Sequence, residues 1–161
     1  MLRTLFVAVF FTAFISCDDG LVKSEYKATS GGAWQKDDIF EFNFSKIDTL
    51  RPHNLFINVR NDETYPYNNL FLIAELSGPD GMPVIDTLEY EMARPDGSWL
   101  GKGYGSIKEN MLWYKENIVF PSSGVYTLRL SHAMRKNGDV NGVEALTGIT
   151  DVGYEILKSN Q

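Results

Sequence analysis

From Phe40 to Ile156 the chain keeps returning to one pattern: apolar side chains at every second position, followed by residues that suit a turn. Phe40, Phe42 and Phe44 alternate with Glu41 and Asn43; Leu55, Ile57 and Val59 form a second run, and Leu70, Leu72, Ala74 and Leu76 a third. Further runs follow at Leu88-Tyr90-Met92, from Leu112 through Tyr114 to Phe120, at Tyr126-Leu128-Leu130 and at Tyr154-Ile156. A strand sends successive side chains to opposite faces, so this spacing buries one face and wets the other. No apolar stripe of helical spacing runs beyond two turns. The breaks fall at Asn61-Asp62, Ser77 to Gly81, Arg94 to Gly97, Pro121 to Gly124 and around Gly138. In such places Pro fixes φ, Gly accepts positive φ and Asn or Asp bonds its own backbone. Seven or eight short strands so separated predict an all-β fold, a single antiparallel β-sandwich of jelly-roll-like form over residues 39–161, with a closed barrel as the other solution. Its expected core is Phe42, Leu55, Ile57, Val59, Leu72, Leu88, Tyr114, Tyr126, Leu128 and Leu130. Residues 132–147 follow no clear period, and a short helical turn near His132 to Lys136 would fit them.

The N-terminus has a different character. Arg3 precedes an apolar run from Leu5 to Ile15, and Ser16 leads into Cys17, the one cysteine of the chain. The run is too short and too terminal for a retained transmembrane helix and has the layout of a bacterial lipoprotein signal peptide over residues 1–16. Cleavage before Cys17 would leave that residue carrying diacylglycerol on sulfur and, usually, palmitate or another acyl chain on nitrogen. Two or three chains hold a protein far more durably than one, at about 0.8 kcal/mol per buried methylene. The lipidated cysteine leaves no thiol for a disulfide, for catalysis or for a metal. Residues 17–38 read as the lipidated N-terminus and a polar tether, loosest from Asp18 to about Lys27.

Removing residues 1–16 deletes Arg3 alone among the charges and leaves 14 basic against 21 acidic side chains. An acidic surface with no Lys or Arg cluster argues against nucleic acid as a partner. The hydrophobic and aromatic content indicates a folded chain rather than a disordered one.

Few residue groups suggest chemistry. Asp86, Glu89, Glu91 and Asp96 could supply paired carboxylates for glycoside hydrolysis, but alternation puts Glu89 and Glu91 on one face and Asp86 on the other. His53 and His132 have no metal-type spacing around them and read as surface or turn histidines. Asn137 to Gly142 (NGDVNG) resembles the opening of a calcium loop, yet Gly148 stands where the closing glutamate belongs, and a polar hairpin loop is the simpler reading. These absences predict no enzymatic activity, no cofactor and no metal.

The segment Trp99-Leu100-Gly101-Lys102-Gly103-Tyr104-Gly105 is the least ordinary. Three glycines at alternate positions empty one face of a strand, which is costly unless something else closes it. Two readings stay open: an edge strand or bulge whose glycine face is covered by a core aromatic, and a partner-binding surface formed by Trp99, Lys102 and Tyr104. Trp99 has the parity of the glycines and joins the other two only if a turn or bulge redirects it.

Several stretches taken together resemble the gliding-motility lipoprotein GldH family of the Bacteroidetes. They are the lipobox cysteine, YNNLFLIAEL from Tyr67, DTLEYEMARPDGSWLGKGYGSIKEN from Asp86, FPSSGVYTLRLSHAMR from Phe120 and LTGITDVGYEI from Leu146. The resemblance implies a lipoprotein of the cell envelope, anchored in the outer membrane and associated with gliding motility through contacts with other envelope or gliding-machinery proteins. It carries over no catalytic residue. The alternative function is a carbohydrate-binding surface module, and it requires Trp99, Trp113 and Tyr104 to share one exposed platform.

Overall fold

A computed structural model describes residues 20–136 and 138–160; the signal peptide and Cys17 lie outside the described residues. The alternating runs form strands that pack as two four-stranded antiparallel sheets. The strands are β1 (Leu21–Ala28), β2 (Ala33–Gln35), β3 (Phe40–Phe44), β4 (His53–Asn61), β5 (Asn69–Ser77), β6 (Pro83–Glu91), β7 (Lys108–Ile118), β8 (Tyr126–His132), β9 (Ala145–Thr147) and β10 (Ile149–Lys158). One sheet runs β1-β10-β4-β7, the other β3-β8-β5-β6, and the short pair β2-β9 stands apart. Without that pair the eight long strands follow the order 1-8-3-6 and 2-7-4-5, the double Greek key of a jelly roll.

Between the sheets lie Phe42, Leu55, Ile57, Val59, Leu72, Leu128 and Leu130, with Tyr126 at their margin, all buried as their parity requires. Leu88 and Tyr114 are only half-buried against this core. Leu88 lies on β6, the outermost strand of its sheet. Tyr114 is displaced by a bulge in β7, where Phe56 faces Trp113 and Leu55 faces Lys115, so one extra residue breaks the alternation. Its hydroxyl donates to Asp86 Oδ2 at 3.0 Å, out at the edge of the sandwich.

The tether expected over residues 17–38 is largely structural, and the domain begins near Gly20 rather than at residue 39. β1 pairs with β10 from Leu21 to Ala28, and β2 pairs with β9. Trp34 on β2 is fully buried, edge-on to Phe40 and His132, with its indole N–H donating to Asp38 O at 2.9 Å. Both faces of the edge strand β1 are partly wet, so LVKSEYKA shows no period. The histidines also differ from expectation. His53 and His132 are buried, because each has the inward parity of its strand, in register with Leu55 and with Leu128-Leu130. No helical turn follows His132 over residues 133–136.

The strand ends define two poles. One holds the β3–β4, β5–β6 and β7–β8 loops together with Gly20 and the end of β10; the opposite pole holds the β4–β5, β6–β7 and β8–β9 loops.

Candidate functional site

The glycine-rich segment belongs to the β6–β7 connection at the second pole, and it forms an irregular loop instead of a strand. Its first part is a tight turn. Asp96 Oδ1 accepts from the Ser98 backbone N–H at 2.9 Å and from its hydroxyl at 2.6 Å, and these bonds hold the Asp96 carboxyl below the usual carboxylate range. Arg94 N–H donates to Ser98 O, and Leu100 N–H to the carbonyl of the buried Met92. This turn points Trp99 inward, where its half-buried ring sits 6.2 Å from Tyr65.

Beyond Trp99 the chain passes beside the start of β7. Lys102 and Glu109 exchange both backbone hydrogen bonds, at 2.8 and 2.7 Å, in a single bridge. A side chain at Gly101 would meet Asn110 Oδ1 at 2.7 Å, so the glycine makes room for a buried amide and not for the core aromatic that one of the two readings requires. Asn110 Nδ2 donates to Val59 O and Asn61 Oδ1, which fixes this amide of β7 against β4 beneath the loop. Gly103 has φ +144, with Ile107 O only 2.7 Å from where a Cβ would stand. The glycines therefore serve a close crossing and a left-handed turn. Tyr104 at the tip is fully exposed.

Past the Lys102 bridge the outer edge of β7 has no strand beside it among the described residues. Glu109 directs its backbone groups outward, so Met111 and Trp113, two and four residues on, do the same. The Trp113 carbonyl is taken by Tyr90, whose hydroxyl donates at 2.6 Å and is pushed up to about 12 by burial and then by the charge of Asp86. Beside this edge runs an open groove of about 810 Å³ whose walls include Leu100, Lys102, Met111, Trp113, Phe56 and Glu91. Trp113 is 54% exposed and leans on Phe56, with ring centroids 4.3 Å apart. Behind the groove Glu109 accepts from Tyr26 OH at 2.7 Å and Arg60 Nε at 3.1 Å, while Arg60 lies 4.2 Å over the Tyr26 ring. Burial and the Glu109 bond together raise the Tyr26 hydroxyl above its ordinary range.

Of the three residues expected to bind a partner, Lys102 lines the groove, Tyr104 stands free at the loop tip, and Trp99 packs inward. Trp113 and Met111, the most exposed apolar walls, were not among them, although Trp113 at a polar position of the β7 run was a visible signal. Trp99, Trp113 and Tyr104 share no ring contact among the described residues; the two tryptophans rest on Tyr65 and Phe56 respectively. The carboxylates are engaged separately. Asp86 accepts from Lys115 at 2.8 Å, which holds its carboxyl below the usual range, and Glu89 accepts from Asn69. Asp139 Oδ1 accepts from its own loop at Asn141 N–H, while Asn137 lies outside the described residues.

The family model for the GldH lipoprotein matches residues 21–156, from the first strand to the last. The chain belongs to the GldH lipoprotein family. It is 48% identical over 158 residues to the gliding motility lipoprotein GldH homolog of Christiangramia forsetii, covering 98% of this chain and 96% of that protein. Against the gliding motility lipoprotein GldH of Flavobacterium johnsoniae the identity is 47% over 141 residues, or 88% and 87% of the two chains. The chain is thus a GldH homologue, a motility-associated lipoprotein for which family membership indicates no catalytic role. Among solved structures the infectious bursal disease virus VP2 subviral particle aligns at 16% identity and a TM-score of 0.38, over 86% of this chain and 33% of that one. For GldH homologues of this length the match from β1 to β10 means that β1 and β2 lie within the family domain.

Proposed function

We propose that this GldH homologue is a non-enzymatic lipoprotein of the outer membrane, held by lipid on Cys17, which docks a protein of the motility machinery along the open edge of β7. The observation that carries the reading is the coincidence of a strand edge without a neighbouring strand at Met111, between the Lys102 bridge and the Trp113 carbonyl that Tyr90 caps, with an apolar-walled groove beside it. An extended segment of a partner laid there would extend the sheet by main-chain hydrogen bonds, while Leu100, Met111 and Trp113 received its side chains. Lys102 and Tyr104 lie on the same loop and would contact the rim of such a partner. Trp99 supports the loop from beneath.

Crosslinked capture from native envelopes tests this reading. Met111→Arg, and separately Lys102→Ala with Tyr104→Ala, should lower the yield of one specific crosslinked protein about tenfold without moving the melting temperature, since about 1.4 kcal/mol of interface energy corresponds to that factor. Trp99→Ala should lower the melting temperature instead. Undiminished capture by a folded Met111→Arg protein would remove the groove from the reading.

A further inference from the structure

The lipid and the folded domain are separated by very little chain. Only Asp18 and Asp19 stand between Cys17 and Gly20, and Gly20 is already fixed, its carbonyl accepting from Lys158 N–H at 2.8 Å. Three residues span at most about 10 Å when fully extended. A lipidated Cys17 lies at the membrane surface, so the pole of the sandwich that holds Gly20 must lie within that distance of it. The sandwich is on the order of 30 Å long along a nine-residue strand, which leaves the groove pole well away from the surface when the strands stand upright.

We infer that the Gly20 pole is a membrane-seating surface whose loop tips enter the headgroup layer of the bilayer that holds the lipid. The loops at this pole form one continuous surface. Ser159 N–H donates to Pro52 O, which ties the β10 end to the β3–β4 loop. A shallow depression joins Ser45 to Ile47 with Ser122 to Tyr126, and a side chain at Gly124 would lie 2.7 Å from Pro79. The tips of this surface are apolar. Leu50 is 89% exposed, Met82 81% and Val125 56%, and Leu21 and Val119 are exposed beside them.

Exposure alone does not choose this pole, because Tyr104 and Val140 are exposed at the other. The length of the link does. Charged side chains on the seating loops and the β10 end are Lys46, Arg51 and Lys158 against Asp48 and Asp80, and Asp18 and Asp19 in the link offset that small positive excess. Seating therefore rests on apolar tips and not on attraction to anionic lipid, and raising the salt should leave it unchanged.

The inference rests on lipid at Cys17, and its test separates the two. Because Cys17 is the chain's one cysteine, Leu50→Cys, Val125→Cys and, at the far pole, Val140→Cys each place a single nitroxide on the mature lipidated protein. In vesicles of phosphatidylethanolamine and phosphatidylglycerol, the labels at 50 and 125 should show a several-fold higher ratio of oxygen to nickel-chelate collision than the label at 140, at low and high salt alike. A Gly/Ser spacer of about twelve residues between Asp19 and Gly20 should return both to the value at 140. Labels at 50 and 125 that match the label at 140 in protein that floats with the vesicles overturn the seating, as does protection that ignores the spacer. Protection equally present in Cys17→Ala protein without vesicles also overturns it, by showing a second copy of the chain on this face. Protein that does not float overturns the anchor assignment and the seating with it.

Discussion

Gly148 and Gly105 have nearly the same backbone, φ +82 and φ +81, in opposite surroundings. A Cβ on Gly148 would stand 2.3 Å from the backbone nitrogen of Tyr65, whereas nothing lies within 4 Å of one on Gly105. Gly148 also bridges segments, accepting from Asp62 N–H and donating to Gly32 O. Gly105→Ala should cost about 1 to 2 kcal/mol, the strain of the left-handed region, and Gly148→Ala more than about 4 kcal/mol through the added clash. Urea midpoints measure both; equal losses would mean that the Tyr65 segment yields easily. His132 makes a second residue-scale case. Its ring meets Trp34 at 5.6 Å, neither ring nitrogen has a hydrogen-bond partner among the described residues, and burial depresses its pKa below the ordinary 6.5. His53 is shifted the same way by burial. A base depressed in the folded state contributes full stability above pH 6.5 and loses it as pH falls from there towards the folded value. Between about pH 7.5 and about pH 5, His132→Leu should therefore lose less stability than the unmodified chain, and it leaves no unsatisfied nitrogen behind. An identical fall in both proteins would show that the folded ring titrates as if in water.

At the scale of elements, the decisive strands are those with the weakest local signal. β1 covers one side of β10, and without it β10 would become a naked edge. β2 carries Trp34 into the closing pair. Trp34→Ala should cost about 3 to 5 kcal/mol, and a chain beginning at residue 39 should show no cooperative melt by circular dichroism. A sharp transition in that shortened chain would demote β1 and β2 to the tether that their composition suggests. The sides of the sandwich are managed by side chains. Lys27 of β1 donates to the Glu41 carbonyl of β3, and Tyr90 and Asp86 of β6 reach β7, so both pairs of neighbouring edge strands are crosslinked. Between the Lys102 bridge and the β7 bulge this protection lapses, which leaves the short edge assigned to docking.

Over the whole molecule, the anchor and the fold are nearly independent parts joined by a link of two residues, Asp18 and Asp19. Cys17→Ala should melt within a degree or two of the lipidated protein yet leave the membrane fraction, as fractionation and palmitate labelling of the two forms would show; label entering the variant would move the acylation site elsewhere. The antiparallel sandwich, most of its inward faces and the family resemblance were legible from residue order, because period-two burial, turn chemistry and motif spacing are local properties. Tertiary structure alone decided the rest. β1 belongs to the fold through β10, more than a hundred residues away. The glycine segment is a loop because Asn110 and Ile107 occupy the space that side chains would need. Trp113, outward by its parity, lines an open groove because β7 is an edge, and no local pattern can encode which strand is left without a neighbour.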